Sequence, residues 1–217
     1  MVRAVNEAYF LDSQLRMEAE GYQLGPDGKP GMIPDPNPDA ARRNPKGLFH
    51  RNGGLVAMRR VNLAQDNRMF RIASSKDLKW GGLPNLLNSP WWMEEDRMRL
   101  LLDRARTAGV RLSEMARRQL ALPIADGWTD ADIIVSVHIR PGILIAAHAG
   151  PGRTAAAGDD LRIIAPEAPH LFMDQLYVPG LGKPGGDRTK GMANANAWFD
   201  TATAKSFDPA AKGFNPA

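Results

Sequence analysis

Cysteine is absent from all 217 residues, which excludes disulfides and thiolate metal sites. Long apolar runs are absent too: the longest, Ile143 to Ala149, is interrupted by His148 and is far too short to span a bilayer. The first residues, Met1-Val2-Arg3-Ala4-Val5-Asn6-Glu7, lack the apolar stretch of a secretory signal. A soluble protein without a membrane partner is expected, acting in the cytoplasm or delivered into a target cell. His50, His138, His148 and His170 form no HxxxH pair and have no carboxylate cluster beside them, so no metal site is expected. There is no G-x-S-x-G elbow. Neither Gly150-Pro151-Gly152-Arg153 nor Gly180-Leu181-Gly182-Lys183 ends in the Gly-Lys-Ser/Thr of a Walker loop.

What is present bounds the fold. Hydrophobic residues make up 43%, enough for one ordinary core, while 21 glycines and 17 prolines concentrate outside the middle of the chain. The net charge of +4 is unevenly spread. Between Arg42 and Arg71 lie eight basic residues (Arg42, Arg43, Lys46, Arg51, Arg59, Arg60, Arg68, Arg71) and one acid, Asp66. Such a stretch attracts phosphate, nucleic acid or an acidic partner, and it equally suits a solvated arm. Only Phe49 and Phe70 interleave with it, which is thin support for base stacking.

Residues 4 to 20 read as a helix, with Ala4, Ala8, Leu11, Leu15 and Ala19 near one face. The alternating prolines of 30–38 read as an extended arm. Leu55 to Met58 is a short possible strand. Ser89 and Pro90 suit a helix start, followed by Glu94, Glu95 and Asp96 in the first turn. Met98, Leu101, Leu102 and Ala105 keep helical spacing up to Gly109, and a second helix runs from Met115 to Leu122. Ile133, Val135, Val137 and Ile139 alternate as a half-buried strand; Ile143 to Ala149, Leu161 to Ala165 and Phe172 to Val178 give three more. Pro141-Gly142 makes a turn of the wrong twist for a tight hairpin, so the first two strands need not be neighbours. The expected class is α+β: a small, mostly antiparallel sheet with a helical pair and extended N- and C-terminal arms. Three segments follow: an N-terminal helix with a Pro/Gly-rich basic arm (1–68), the α+β core (69–181) and a C-terminal extended tail (182–217).

The order of the core segments resembles bacterial ADP-ribosyltransferase-like toxin domains over about residues 69–180. Arg71 stands in an apolar strand-like run, Met69-Phe70-Arg71-Ile72-Ala73; aromatics and helices follow, and Gln175 lies on a late strand. The resemblance implies a domain that takes NAD as its substrate and cleaves the nicotinamide–ribose bond, as an ADP-ribosyltransferase or a glycohydrolase. Arg71 would then pair with the pyrophosphate, Trp91, Trp92 or Tyr177 would stack on a ring, Ser89 would orient Gln175, and the Gln175 carboxamide would hold the ribose or the acceptor. The chain departs from the family in having no Ser-Thr-Ser triplet and no E-x-E or Q-x-E on the last strand, where Tyr177 follows Gln175 by two. An immunity or delivery protein is the partner implied. The alternative is an assembly component, of a phage particle or another large complex, whose arms become ordered on neighbouring subunits.

Overall fold

The computed structural model describes residues 3–22, 24, 27, 29, 31–33, 48–49, 53–65, 67–120, 130–152, 155–157, 162–164 and 173–209. Alternation builds its centre. Seven strands form one sheet: β3 (Arg59–Leu63), β4 (Arg68–Ala73), β5 (Trp91–Glu94), β6 (Ile133–Ile139), β7 (Ile145–Pro151), β10 (Asp174–Tyr177) and β11 (Phe199–Phe207). Their spatial order is β11-β6-β4-β5-β10-β7-β3, with every neighbouring pair antiparallel. Two small ladders stand apart, β1 (Met32–Ile33) with β2 (Leu48–Phe49) and β8 (Ala155–Ala157) with β9 (Arg162–Ile164). The α+β class, the antiparallel sheet and the helical pair are as expected. β6 and β7, whose pairing the turn chemistry left open, are not neighbours.

Among the described residues six α-helices accompany the strands: α1 (Glu7–Phe10), α2 (Ser13–Ala19), α3 (Ser75–Leu87), α4 (Glu95–Ala108), α5 (Leu112–Leu120) and α6 (Arg188–Trp198). On one sheet face, Leu86 and Leu87 of α3 and Ala195 and Trp198 of α6 pack over Met69, Ala73, Trp92, Val135, Val137, Leu176 and Phe199. On the other, the helical spacing of α4 drives Met98, Leu101, Leu102 and Ala105 against Phe70, Ile72, Met93 and Ile134, joined by Met115 and Ala116 of α5. Each large side chain so enclosed contributes about 1.5–3 kcal/mol. Because helices cover both faces, β6 is buried on both sides except at His138, where alternation alone suggests one wet face.

Several expectations need correction. Ser89 does not start a helix: Trp92 and Met93 are buried on opposite faces, the signature of a strand, and the helix begins only at Glu95. The single helix over 4 to 20 is two, broken where the Asp12 side chain accepts from the Gln14 and Leu15 amides. Leu55 makes only an isolated bridge, to Gly152, and the strand starts at Arg59. The sheet draws strands from all three expected segments, β3 from 1–68 and β11 from 182–217, so that partition does not divide the structure. Among the described residues no helix is long and apolar enough to cross a membrane. The Pro-rich stretch 34–38, His50, His170, Leu171, Phe172 and Phe214 lie outside the described residues.

Candidate functional site

Strand parity decides where each expected site residue points. On β4, Met69, Arg71 and Ala73 share the face covered by α3 and α6, and Phe70 and Ile72 face α4 and α5. Arg71 is half-buried, and its Nη1 donates to the Leu86 carbonyl at 2.5 Å. Its Nε is enclosed and has no hydrogen-bond partner among the described residues. Burial pushes the guanidinium down to about 10 and the Asp77 carboxylate opposes the shift, so the group remains cationic at neutral pH.

This guanidinium opens onto a cavity of about 280 Å³, lined also by Asp77, Trp80, Ser89, Lys183 and Arg188. Three cations thus face one carboxylate. Trp80 projects from α3 with 80% of its surface exposed, and the Arg188 guanidinium lies 5.9 Å from its ring centroid while bonding to Asn85. The wall is fixed by Asn88, whose side chain donates to the Gly182 carbonyl at 3.0 Å and accepts from the Gly182 amide at 2.9 Å. α6 approaches this wall so closely that a Cβ at Gly191 would lie 2.2 Å from the Gly182 oxygen.

Ser89 therefore joins Arg71, but Gln175 does not. Phe70 registers with Met93, and Leu176 with Trp92, so Leu176 shares the Arg71 face and its neighbour Gln175 points to the other. There the Gln175 Nε2 donates to the Leu120 carbonyl at 2.9 Å. Tyr177 and Trp91 lie on that same far face, edge to face at 5.1 Å. The Tyr177 hydroxyl donates to Glu18 at 2.9 Å. Trp92 is on the Arg71 face but buried, its Nε1 donating to the Ser89 carbonyl at 2.6 Å and its ring 5.0 Å from Phe199. Convergence of Arg71 and Gln175 on one ligand, which the resemblance implies, is thus corrected: the sheet stands between them.

Trp80 and Arg188 sit in no periodic run or motif, and Lys183 only in the 180–183 run that lacks a Walker ending, so the sequence carries no signal that unites them. Of the basic stretch, Arg59 pairs with Asp174 at 2.6 Å, Arg60 with Glu7 at 2.6 Å, and the Arg68 guanidinium lies 4.9 Å from the Phe70 ring centroid. Arg42, Arg43, Lys46 and Arg51 lie outside the described residues. Among the described residues no cluster of three metal-ligating side chains occurs. No protein-family model, curated protein or solved structure matches the chain.

Proposed function

We propose that the protein binds a phosphate-bearing ligand of the nucleotide class in the cavity over Arg71, with NAD as the member to test first. The observation that carries the reading is a half-buried guanidinium with an unpartnered Nε, facing a cavity that also holds Lys183, Arg188 and an exposed indole. A guanidinium lining a cavity is suited to a phosphate oxygen, and two more cations offset the second charge of a pyrophosphate. Trp80 offers a flat face for a base or nicotinamide. A volume of about 280 Å³ lies at the lower end for small-molecule sites, so it suits the pyrophosphate with one nucleoside, the remainder lying outside against Trp80.

Cleavage of the nicotinamide–ribose bond rests on the sequence resemblance alone. Without Gln175, the anionic group near enough to stabilise a developing ribosyl cation is Asp77. Calorimetric titration with NAD, ADP and pyrophosphate tests binding, and nicotinamide release from NAD tests turnover. Lys183→Ala and Arg188→Ala should each weaken binding about ten- to hundredfold, the worth of one charge-assisted hydrogen bond. No heat with any of the three ligands at millimolar concentration, or binding unchanged in both variants, rejects the site.

The assembly reading is favoured by one feature, the nine-residue β11, which is an end strand of the sheet. Light scattering that shows a concentration-independent monomer counts against it.

A further inference from the structure

The far face of the sheet carries a second arrangement, independent of the cavity. His148 on β7 is 5% exposed, and its Nε2 has no hydrogen-bond partner among the described residues. Its ring stacks on Phe10 of α1 at 4.3 Å between centroids and 21° between planes. The Arg60 guanidinium lies 4.7 Å from the centroid of that same Phe10 ring. Arg60 is fixed in turn by two hydrogen bonds to Glu7, at 2.7 and 2.6 Å, from the same short helix. The Phe10 ring, in contact with an imidazole and a guanidinium, is one of the ties of α1 and α2 to the sheet, beside Asn6 with Ala146 and Pro179 and Glu18 with Tyr177.

We propose that His148 is an acid-operated latch: protonation of its imidazole unstacks Phe10 and releases the N-terminal segment Val5–Gly21 from the sheet. A neutral imidazole stacks on Phe10 at no electrostatic cost. A charged one is enclosed without a hydrogen-bond acceptor at Nε2 and stands among cations. The groups that face it are Arg16 of α2 and Glu20 just after it, ion-paired at 3.4 Å, Arg60 of β3 paired to Glu7 of α1, and Tyr177 of β10 bonded to Glu18. Both carboxylates nearest these arginines are already engaged, which leaves little to neutralise an imidazolium.

Burial first, then Arg16, push the His148 imidazole down to about 4, with Glu20 opposing and Arg60 adding to the shift. Once the segment is open the ring returns to its ordinary value of about 6.5. The closed state is thus fully favoured above pH 6.5 and loses ground as pH falls through 4, by a factor that approaches about 300 in the closed-to-open ratio below it. Release uncovers Leu15 and Ala19 of α2 and the Tyr177 face beneath them.

The test uses the full chain. Nuclear magnetic resonance titration of the imidazoles gives the His148 pKa, and amide exchange of residues 5–21, corrected for intrinsic rates, follows the segment between pH 7.5 and pH 4. The expected result is a His148 pKa near 4 and exchange protection that drops at least tenfold across this range. His148→Phe, which keeps a ring to stack on Phe10, should abolish the drop. Arg16→Leu should raise the His148 pKa and move the release to lower amplitude. A His148 pKa near 6.5, or the same loss of protection in His148→Phe, overturns the proposal, and the pKa measurement decides even if that variant folds poorly.

Discussion

The Tyr177 hydroxyl donates to the Glu18 carboxylate at 2.9 Å, tying α2 to the third strand from one edge of the sheet. Burial pushes the Glu18 carboxyl above its ordinary range, the Tyr177 bond pulling partly back; burial first and then the Glu18 charge raise the phenol well above its own. Tyr177→Phe leaves a half-buried carboxylate without this donor. It should cost about 1–3 kcal/mol in urea unfolding at pH 7. Because the folded state holds the Glu18 proton more tightly than the unfolded one, the penalty should shrink as pH falls through the carboxyl's raised pKa. An undiminished penalty at pH 4 would contradict the assignment.

Asn6 is fully buried and satisfies three backbone groups through its side chain. Its Nδ2 donates to the carbonyls of Ala146 at 2.7 Å and Pro179 at 3.0 Å, and its Oδ1 accepts from the Ala146 amide at 2.8 Å. Asn6→Ala orphans three backbone groups, and a loss of about 3 kcal/mol or more is expected from three penalties of about 1–3 kcal/mol each. Asn6→Asp, which keeps the acceptor but not the donors, should be no better. Thermal unfolding of both variants checks this.

Arg71→Met separates binding from stability. The substitution removes a desolvated charge with an unpartnered Nε and puts an apolar chain of similar length in its place. Replacement of buried charge by well-packed apolar atoms is often neutral or stabilising. The Leu86 carbonyl loses its Arg71 donor, so unfolding free energy should fall by no more than about 1–3 kcal/mol. Anion binding should be lost. A variant that unfolds yet still binds pyrophosphate would reverse the roles assigned to this side chain.

Gly191→Ala tests the cavity wall. The new Cβ would fall 2.2 Å from the Gly182 carbonyl and 2.5 Å from Asn88 Oδ1, so α6 must move outward or Asn88 must release Gly182. Either change shifts Lys183 and Arg188, and a destabilisation of about 1–3 kcal/mol should accompany weaker ligand binding. Gly109→Ala is the control: its φ of 63° is strained for alanine, but its Cβ meets nothing and lies away from the cavity, so ligand affinity should hold.

Local periodicity settles much of this protein. The spacing of Met98, Leu101, Leu102 and Ala105 marks α4, and the alternation in Ile133–Ile139 marks β6, because burying one stripe or one face leaves few other conformations for such patterns. Where pattern and caps conflict, as at Ser89-Pro90-Trp91-Trp92, packing of the two indoles on opposite faces overrules a plausible helix start. α3 is hidden from sequence by Gly81-Gly82-Leu83-Pro84, and Gly82 indeed leaves helical geometry at φ 67°. The cavity unites Arg71, Trp80, Ser89, Lys183 and Arg188 from β4, α3, the following loop, the 182–183 turn and α6. That meeting depends on strand order and on how α6 lies against α3, which no local pattern encodes. The amino-acid order determined the strongly periodic elements, such as α4 and β6, and the absence of thiol chemistry, since these follow from side-chain type and neighbour spacing. Only the tertiary structure decided that Gln175 faces away from Arg71, because a single step along a strand reverses the direction of a side chain.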